Sequence, residues 1–115
     1  MGGISVHVVD VSRGVVAFGM RVEVFRAVPH ELLASGAIGA KGLLEDAALN
    51  ARMLPGMYEA VFHVAQYFRD GGHVLPDVPF LDVVNYRFGI ANPDQHYHLP
   101  MKLTPWGYSC FRGGA

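Results

Sequence analysis

Apolar and polar positions alternate along much of this chain, with the period of two that a β-strand imposes on its side chains. The clearest case is residues 20–26, Met20-Arg21-Val22-Glu23-Val24-Phe25-Arg26, where the alternation is so regular that one side of the strand must meet solvent. Near the start, Ile4, Val6 and Val8 form an aliphatic stripe that alternates with Ser5, His7 and Val9, which puts His7 on the opposite face. Residues 10–14 end that strand in turn-forming side chains. The segment 96–103 repeats the arrangement, with Tyr97, Leu99, Met101 and Leu103 as a core stripe and His96, His98, Pro100 and Lys102 on the other side. Thr104-Pro105-Trp106-Gly107 then predicts a turn, because proline presets φ and Gly107 accepts a positive one, and residues 108–112 run back as a last short strand.

Between these anchors the pattern is weaker. Pro29 closes the 20–26 strand, and residues 31–40 predict a third strand built from small side chains. Lys41-Gly42 predicts a turn, and 43–54 an irregular connection, although Leu44 to Leu49 has helical propensity. A strand at 57–64 begins after Pro55-Gly56. Residues 65–70 lack strict alternation and stop at Gly71-Gly72, as a short helix ended by glycine does. Residues 80–90 are rich in β-branched and aromatic side chains and predict a further strand, after which Asn92-Pro93-Asp94 turns into 96–103. Seven or eight short strands, punctuated by 14 glycines and 7 prolines, predict an all-β sandwich. The 115 residues suffice for one domain, 1–115, with a core that needs no staples.

Charge narrows the partners. Nine basic against ten acidic side chains argue against nucleic acid or an anionic membrane. No window approaches the roughly 18 apolar residues of a membrane span, and no signal peptide is visible at the N-terminus. One cysteine, Cys110, allows no internal disulfide and fits a reducing compartment, so the expectation is a soluble, cytoplasmic protein. Nothing beside Cys110 in sequence would activate its thiol. With 51% hydrophobic and only 17% charged residues, part of the surface is expected to be subunit interface.

Two stretches at opposite ends of the chain carry a resemblance. Residues 96–114, with His96, His98, Pro100, Thr104-Pro105, Gly107-Tyr108-Ser109 and Phe111-Arg112-Gly113-Gly114, resemble the C-terminal signature of the transthyretin-like 5-hydroxyisourate hydrolases. Ser5 to Asp10 resembles that family's opening motif. The resemblance implies a prealbumin-like sandwich of two four-stranded sheets with one short helix, assembled as a homotetramer with sites between subunits. It implies that His7 and His98 are catalytic, as general base and orienting partner for a water that attacks a ring carbonyl of a small-molecule substrate, work suited to imidazole. It calls for no metal and no cofactor.

The residues leave other readings open. His96 shares its strand face with His98, so with His7 it would complete a three-histidine zinc site. His30, His63 and His73 stand outside any motif and are expected at the surface. Where the family has an Asp-Gly-Arg turn whose arginine holds the substrate, this chain reads Lys41-Gly42-Leu43, and where the family ends in Tyr-Arg-Gly-Ser it keeps Arg112-Gly113 but has Phe111 and Gly114, without the phenol and the terminal hydroxyl. Leu43, Phe111 and Arg112 are the expected substrate-binding residues, with Lys41 or Arg52 as a replacement cation. Leucine and phenylalanine both move the pocket toward an apolar ligand, which points to an N-methylated hydroxyisourate such as methylxanthine breakdown would yield. A pseudoenzyme, or a binding protein that uses the same channel as a carrier, is the alternative.

Overall fold

The computed structural model describes residues 2–114. Its strands are β1 (Ile4–Asp10), β2 (Val15–Val16), β3 (Arg21–Arg26), β4 (Glu31–Ala37), β5 (Gly56–His63), β6 (Val83–Ile90), β7 (Tyr97–Thr104) and β8 (Gly107–Cys110), with one helix, α1 (Val64–Asp70), between β5 and β6. They form two four-stranded sheets, ordered β2-β1-β7-β8 and β4-β3-β5-β6. All neighbours are antiparallel except β1 and β7, which run parallel from Ile4 opposite Tyr97 to Asp10 opposite Leu103.

Alternation decides which faces meet. Ile4, Val6 and Val8 on β1 and Tyr97, Leu99, Met101 and Leu103 on β7 point inward, where they join Val22 and Val24 of β3 and Ala60 and Phe62 of β5 in one core. Ser5 and His7, with His98 and Pro100, are left half-exposed on the outward face of the first sheet. One carboxylate breaks the apolar pattern. Asp10 has the inward parity of β1 and is fully buried, accepting hydrogen bonds from Tyr67 Oη at 2.9 Å and from Ser12 Oγ. Burial, and then the bond to Asp10, push the Tyr67 phenol up to about 12. This pair ties the helix to the end of β1.

Several expected boundaries shift. The third strand stops at Ala37, not at residue 40, because the Met20 N–H that would answer the bond from Ile38 N–H to Met20 O is given to Ala17 O, and the Gly39 N–H turns to Leu43 O. β6 starts at Val83, not at residue 80, since the Asp82 carbonyl is taken by the Ala65 N–H at the start of the helix. β8 ends at Cys110, short of Arg112. The helical propensity of 44–49 yields only a 3-10 turn, Ala47–Asn50, capped by the Asp46 carboxylate on the Ala48 N–H. The turn before β8 does not use a positive φ at Gly107. Gly107 instead pairs with Thr104, whose hydroxyl accepts from the Trp106 N–H. The two-residue β2 had no counterpart in the pattern. The helix ends as expected at Gly71-Gly72, with Gly72 N–H bonded to Arg69 O and His73 N–H to Phe68 O. Among the described residues no helix is long and apolar enough to cross a membrane.

Candidate functional site

The parallel register of β1 and β7 assembles the site. It sets Ser5 beside His98 and His7 beside Pro100, all on the outward face, so His7 and His98 come from neighbouring strands one step apart along the sheet. A third piece of chain joins at the other edge of β1. The Val8 N–H donates to Gly42 O and the Leu44 N–H to Val6 O, which pairs Leu43 opposite His7 and places its side chain on the histidine face. At the far edge of β7, the Gly113 N–H donates to His98 O at 2.8 Å.

Each imidazole rests against a glycine. A Cβ at Gly42, whose φ is +82°, would lie 2.6 Å from His7 Nε2. A Cβ at Gly113 would lie 2.9 Å from His98 Cδ2. Real Cβ atoms do not approach so closely, so both positions need hydrogen there to leave the rings room.

Hydrogen bonds distinguish the two histidines. His7 Nε2 lies 3.1 Å from the Lys41 carbonyl, so it donates there. His98 Nδ1 lies 2.6 Å from Ser5 Oγ, and the same oxygen is 2.8 Å from His96 Nε2. His96 Nδ1 reaches the Gly2 carbonyl at 3.1 Å. The His98 pKa is lowered, first by burial and then by the neighbouring His7 and His96, so His98 is neutral at neutral pH. A neutral imidazole with one nitrogen engaged and the other free is the form that accepts a proton from water.

The structure brings together His7, His98 and Leu43. Phe111 lies farther along, 44% exposed, with Lys102 Nζ 6.0 Å from its ring centroid. Arg112 engages neighbours of its own chain. Its guanidinium stacks 4.0 Å from the centroid of Tyr97, a core-facing ring, and donates to Gln95 Oε1 at 3.1 Å. Of the two candidate replacement cations, Arg52 is paired with Asp94 at 2.9 Å, and Lys41 contributes its backbone carbonyl. Among the described residues no group of three or more His, Cys, Asp or Glu is placed to hold a metal ion, and His96 Nε2 and His98 Nδ1 are both engaged by Ser5 Oγ. His63 pairs with Glu23 at 2.7 Å, His73 with Arg13, and His30 stacks on Phe25. Burial pushes the Cys110 thiol up to about 11, which leaves it unreactive.

Sequence reasoning missed Ser5 as part of the site. It shares its strand face with His7 two residues on, and that signal was present. What alternation cannot reveal is that β7 would be its neighbour, with His98 directly opposite. Beside this group, an open cavity of about 410 Å³ is lined by Ile4, Ser5, Leu43, Leu44 and Leu49 together with the acidic Glu45 and Asp46.

A two-sheet sandwich with one short helix, and paired histidines on the outward face of one sheet, define a transthyretin-like protein. Residues 4–113 match the HIUase/Transthyretin family, and the chain belongs to it. It is 38% identical to 5-hydroxyisourate hydrolase 2 of Rhizobium meliloti, over 97% of this chain and 96% of that one. It is 40% identical to 5-hydroxyisourate hydrolase of Deinococcus radiodurans, over 96% and 95%. Among solved structures, 5-hydroxyisourate hydrolase of Klebsiella pneumoniae superposes with a TM-score of 0.81 at 26% identity, covering 99% of this chain and 100% of that one. An (S)-allantoin synthase superposes with a TM-score of 0.88 at 35% identity, covering 98% of this chain and 44% of that longer one.

Proposed function

We propose that this chain is a hydrolase of purine breakdown that opens the ring of 5-hydroxyisourate, or a close analogue, by adding water to a cyclic amide carbonyl. Near full-length similarity to several 5-hydroxyisourate hydrolases supports the reaction class. The observation that carries the proposal is the placement of His7 and a neutral His98 on one open face of adjacent strands. His98 takes a proton from water as the oxygen adds to the ring carbonyl. The C–N bond then breaks, and the proton passes from His98 to the departing ring nitrogen, leaving a carboxylic acid that releases its own proton to solvent. His7, anchored by the Lys41 carbonyl through its Nε2–H, orients the attacking water.

The face that carries the histidines is open in one chain and flanked by the exposed Phe111 ring. A homotetramer that closes this face between subunits would exclude water from the substrate and bury that ring. Arg112, held by Tyr97 and Gln95, serves in this reading to fix the terminal segment so that Gly113 stays under His98.

The finer reading concerns the substrate. Leu43 stands opposite His7 and lines the cavity, at the position where the family motif carries a substrate-holding arginine. A guanidinium facing an N-methyl group would lose partners worth about 1–3 kcal/mol, whereas leucine gains roughly 0.8 kcal/mol for each buried CH₂-sized group. An N-methylated hydroxyisourate fits this substitution, and the Phe111 side chain points the same way. The test is the decay of freshly generated plain and N-methylated hydroxyisourate, with the wild type and with the double variant Leu43→Arg/Phe111→Tyr. The double variant should lower kcat/KM for the methylated compound and raise it for the plain one, with a crossover of about 10- to 100-fold. A wild type that already prefers the plain compound contradicts the methylated substrate and leaves the hydrolase standing. A protein that slows the decay of both compounds is a carrier.

A further inference from the structure

We infer that Ser5 and His96 are positioning residues that fix which nitrogen of His98 is left to take the proton, an inference that rests on the hydrolytic role of His98 proposed above. One chain of hydrogen bonds links these residues, and each direction in it is set by the one before. It begins at a group that cannot change role, since a backbone carbonyl only accepts. The Gly2 carbonyl, 3.1 Å from His96 Nδ1, therefore places the hydrogen of neutral His96 on Nδ1 and makes its Nε2 an acceptor. Ser5 Oγ, 2.8 Å from that Nε2, has a single hydrogen and gives it there. Toward His98 Nδ1, at 2.6 Å, the same oxygen can then only accept, so His98 carries its hydrogen on Nδ1. The nitrogen on the far side of the His98 ring, Nε2, is left with a lone pair.

The opposite direction has a definite chemical requirement. For Ser5 to donate to His98 Nδ1, its oxygen would have to accept from His96 Nε2, and His96 would need hydrogens on both nitrogens and a positive charge. His98 would then hold its hydrogen on Nε2 and could no longer act as a base there. The neutral network thus selects the basic tautomer of His98, from two residues that need not touch the substrate. His7 sits in a separate arrangement, with its Nε2 hydrogen taken by the Lys41 carbonyl, so the network acts on one histidine of the pair.

The test reads the tautomer itself. In nitrogen-15 spectra at about pH 8, above the ordinary histidine range near 6.5, wild-type His98 should show its hydrogen on Nδ1. Ser5→Ala removes the lock. His96→Leu removes the acceptor, freeing the Ser5 hydrogen to turn toward His98 and place the imidazole hydrogen on Nε2. Both variants should lose the Nδ1–H signature and lower kcat about 10-fold or more, a part of the roughly 10²–10⁴ that a positioned general base contributes, while KM changes by less than about two-fold. Ser5→Thr keeps a hydroxyl, and His96→Gln can present an amide oxygen where Nε2 stood, so both should retain tautomer and rate. Wild-type His98 with its hydrogen on Nε2 would overturn the inference, as would a rate loss in His96→Leu with the tautomer unchanged. If the wild type proves not to hydrolyse hydroxyisourate, the proposed function fails, while the spectra still decide the tautomer.

Discussion

A methyl group at position 113 would lie 2.9 Å from His98 Cδ2 and 3.1 Å from Pro100 Cγ. The proline ring cannot yield, so in Gly113→Ala the imidazole or the terminal segment must move. Activity should fall about 10-fold or more, because small displacements of a general base are costly, while denaturant unfolding shifts by less than about 1 kcal/mol, as expected for a contact at an open edge. The two imidazoles also set the response to pH. Burial, His7 and His96 hold the His98 pKa below its ordinary value, so the acid limb of kcat/KM should lie below about 6.5. The unfolded chain then binds a proton at His98 before the folded one does. The stability contribution of His98 is therefore complete above about pH 6.5 and is lost as pH falls through the lowered folded value. A pH-rate profile with its acid limb above about 6.5 would contradict the neutral, half-buried base.

Among the elements, the join between β1 and α1 makes the sharpest demand. Asp10 is fully buried, and Tyr67 supplies one of its two side-chain hydroxyl donors. Tyr67→Phe leaves the carboxylate short of a donor and should cost about 1–3 kcal/mol in denaturant unfolding, with turnover little changed because the pair lies on the inward side of the sheet. The elements also show what the sequence could reveal. β1 and β7 were legible because each keeps strict alternation over seven or eight residues with one face buried, and β3 keeps it from Arg21 to Val24, where the register shifts before Phe25. Their inward and outward faces, and hence the outward placement of His7, His96 and His98, followed from parity alone. The two-residue β2 is too short to show a period, and the propensity of residues 44–49 was overridden by the bonds that tie Gly42 and Leu44 to β1. Strand partners were the main gap. Nothing in a local pattern states that β1 runs parallel to a strand more than ninety residues away, and the part of Ser5 depends on that pairing.

For the whole molecule, the two sheets end in the edge strands β2 and β8, and β4 and β6, and the histidine face of the first sheet is half-exposed. With an apolar composition and exposed rings such as Phe111 beside that face, the homotetramer proposed above should appear in light scattering as a mass about four times the 12.5 kDa of one chain. An active monomer would contradict a site closed between subunits. The central claim, that His98 takes the proton from water while His7 orients it, is tested most directly by the decay of freshly generated hydroxyisourate with wild type, His7→Asn and His98→Asn at equal concentration. The wild type should accelerate decay, and each substitution should lower turnover by about 10²-fold or more with the fold intact. Undiminished turnover in His98→Asn would contradict it.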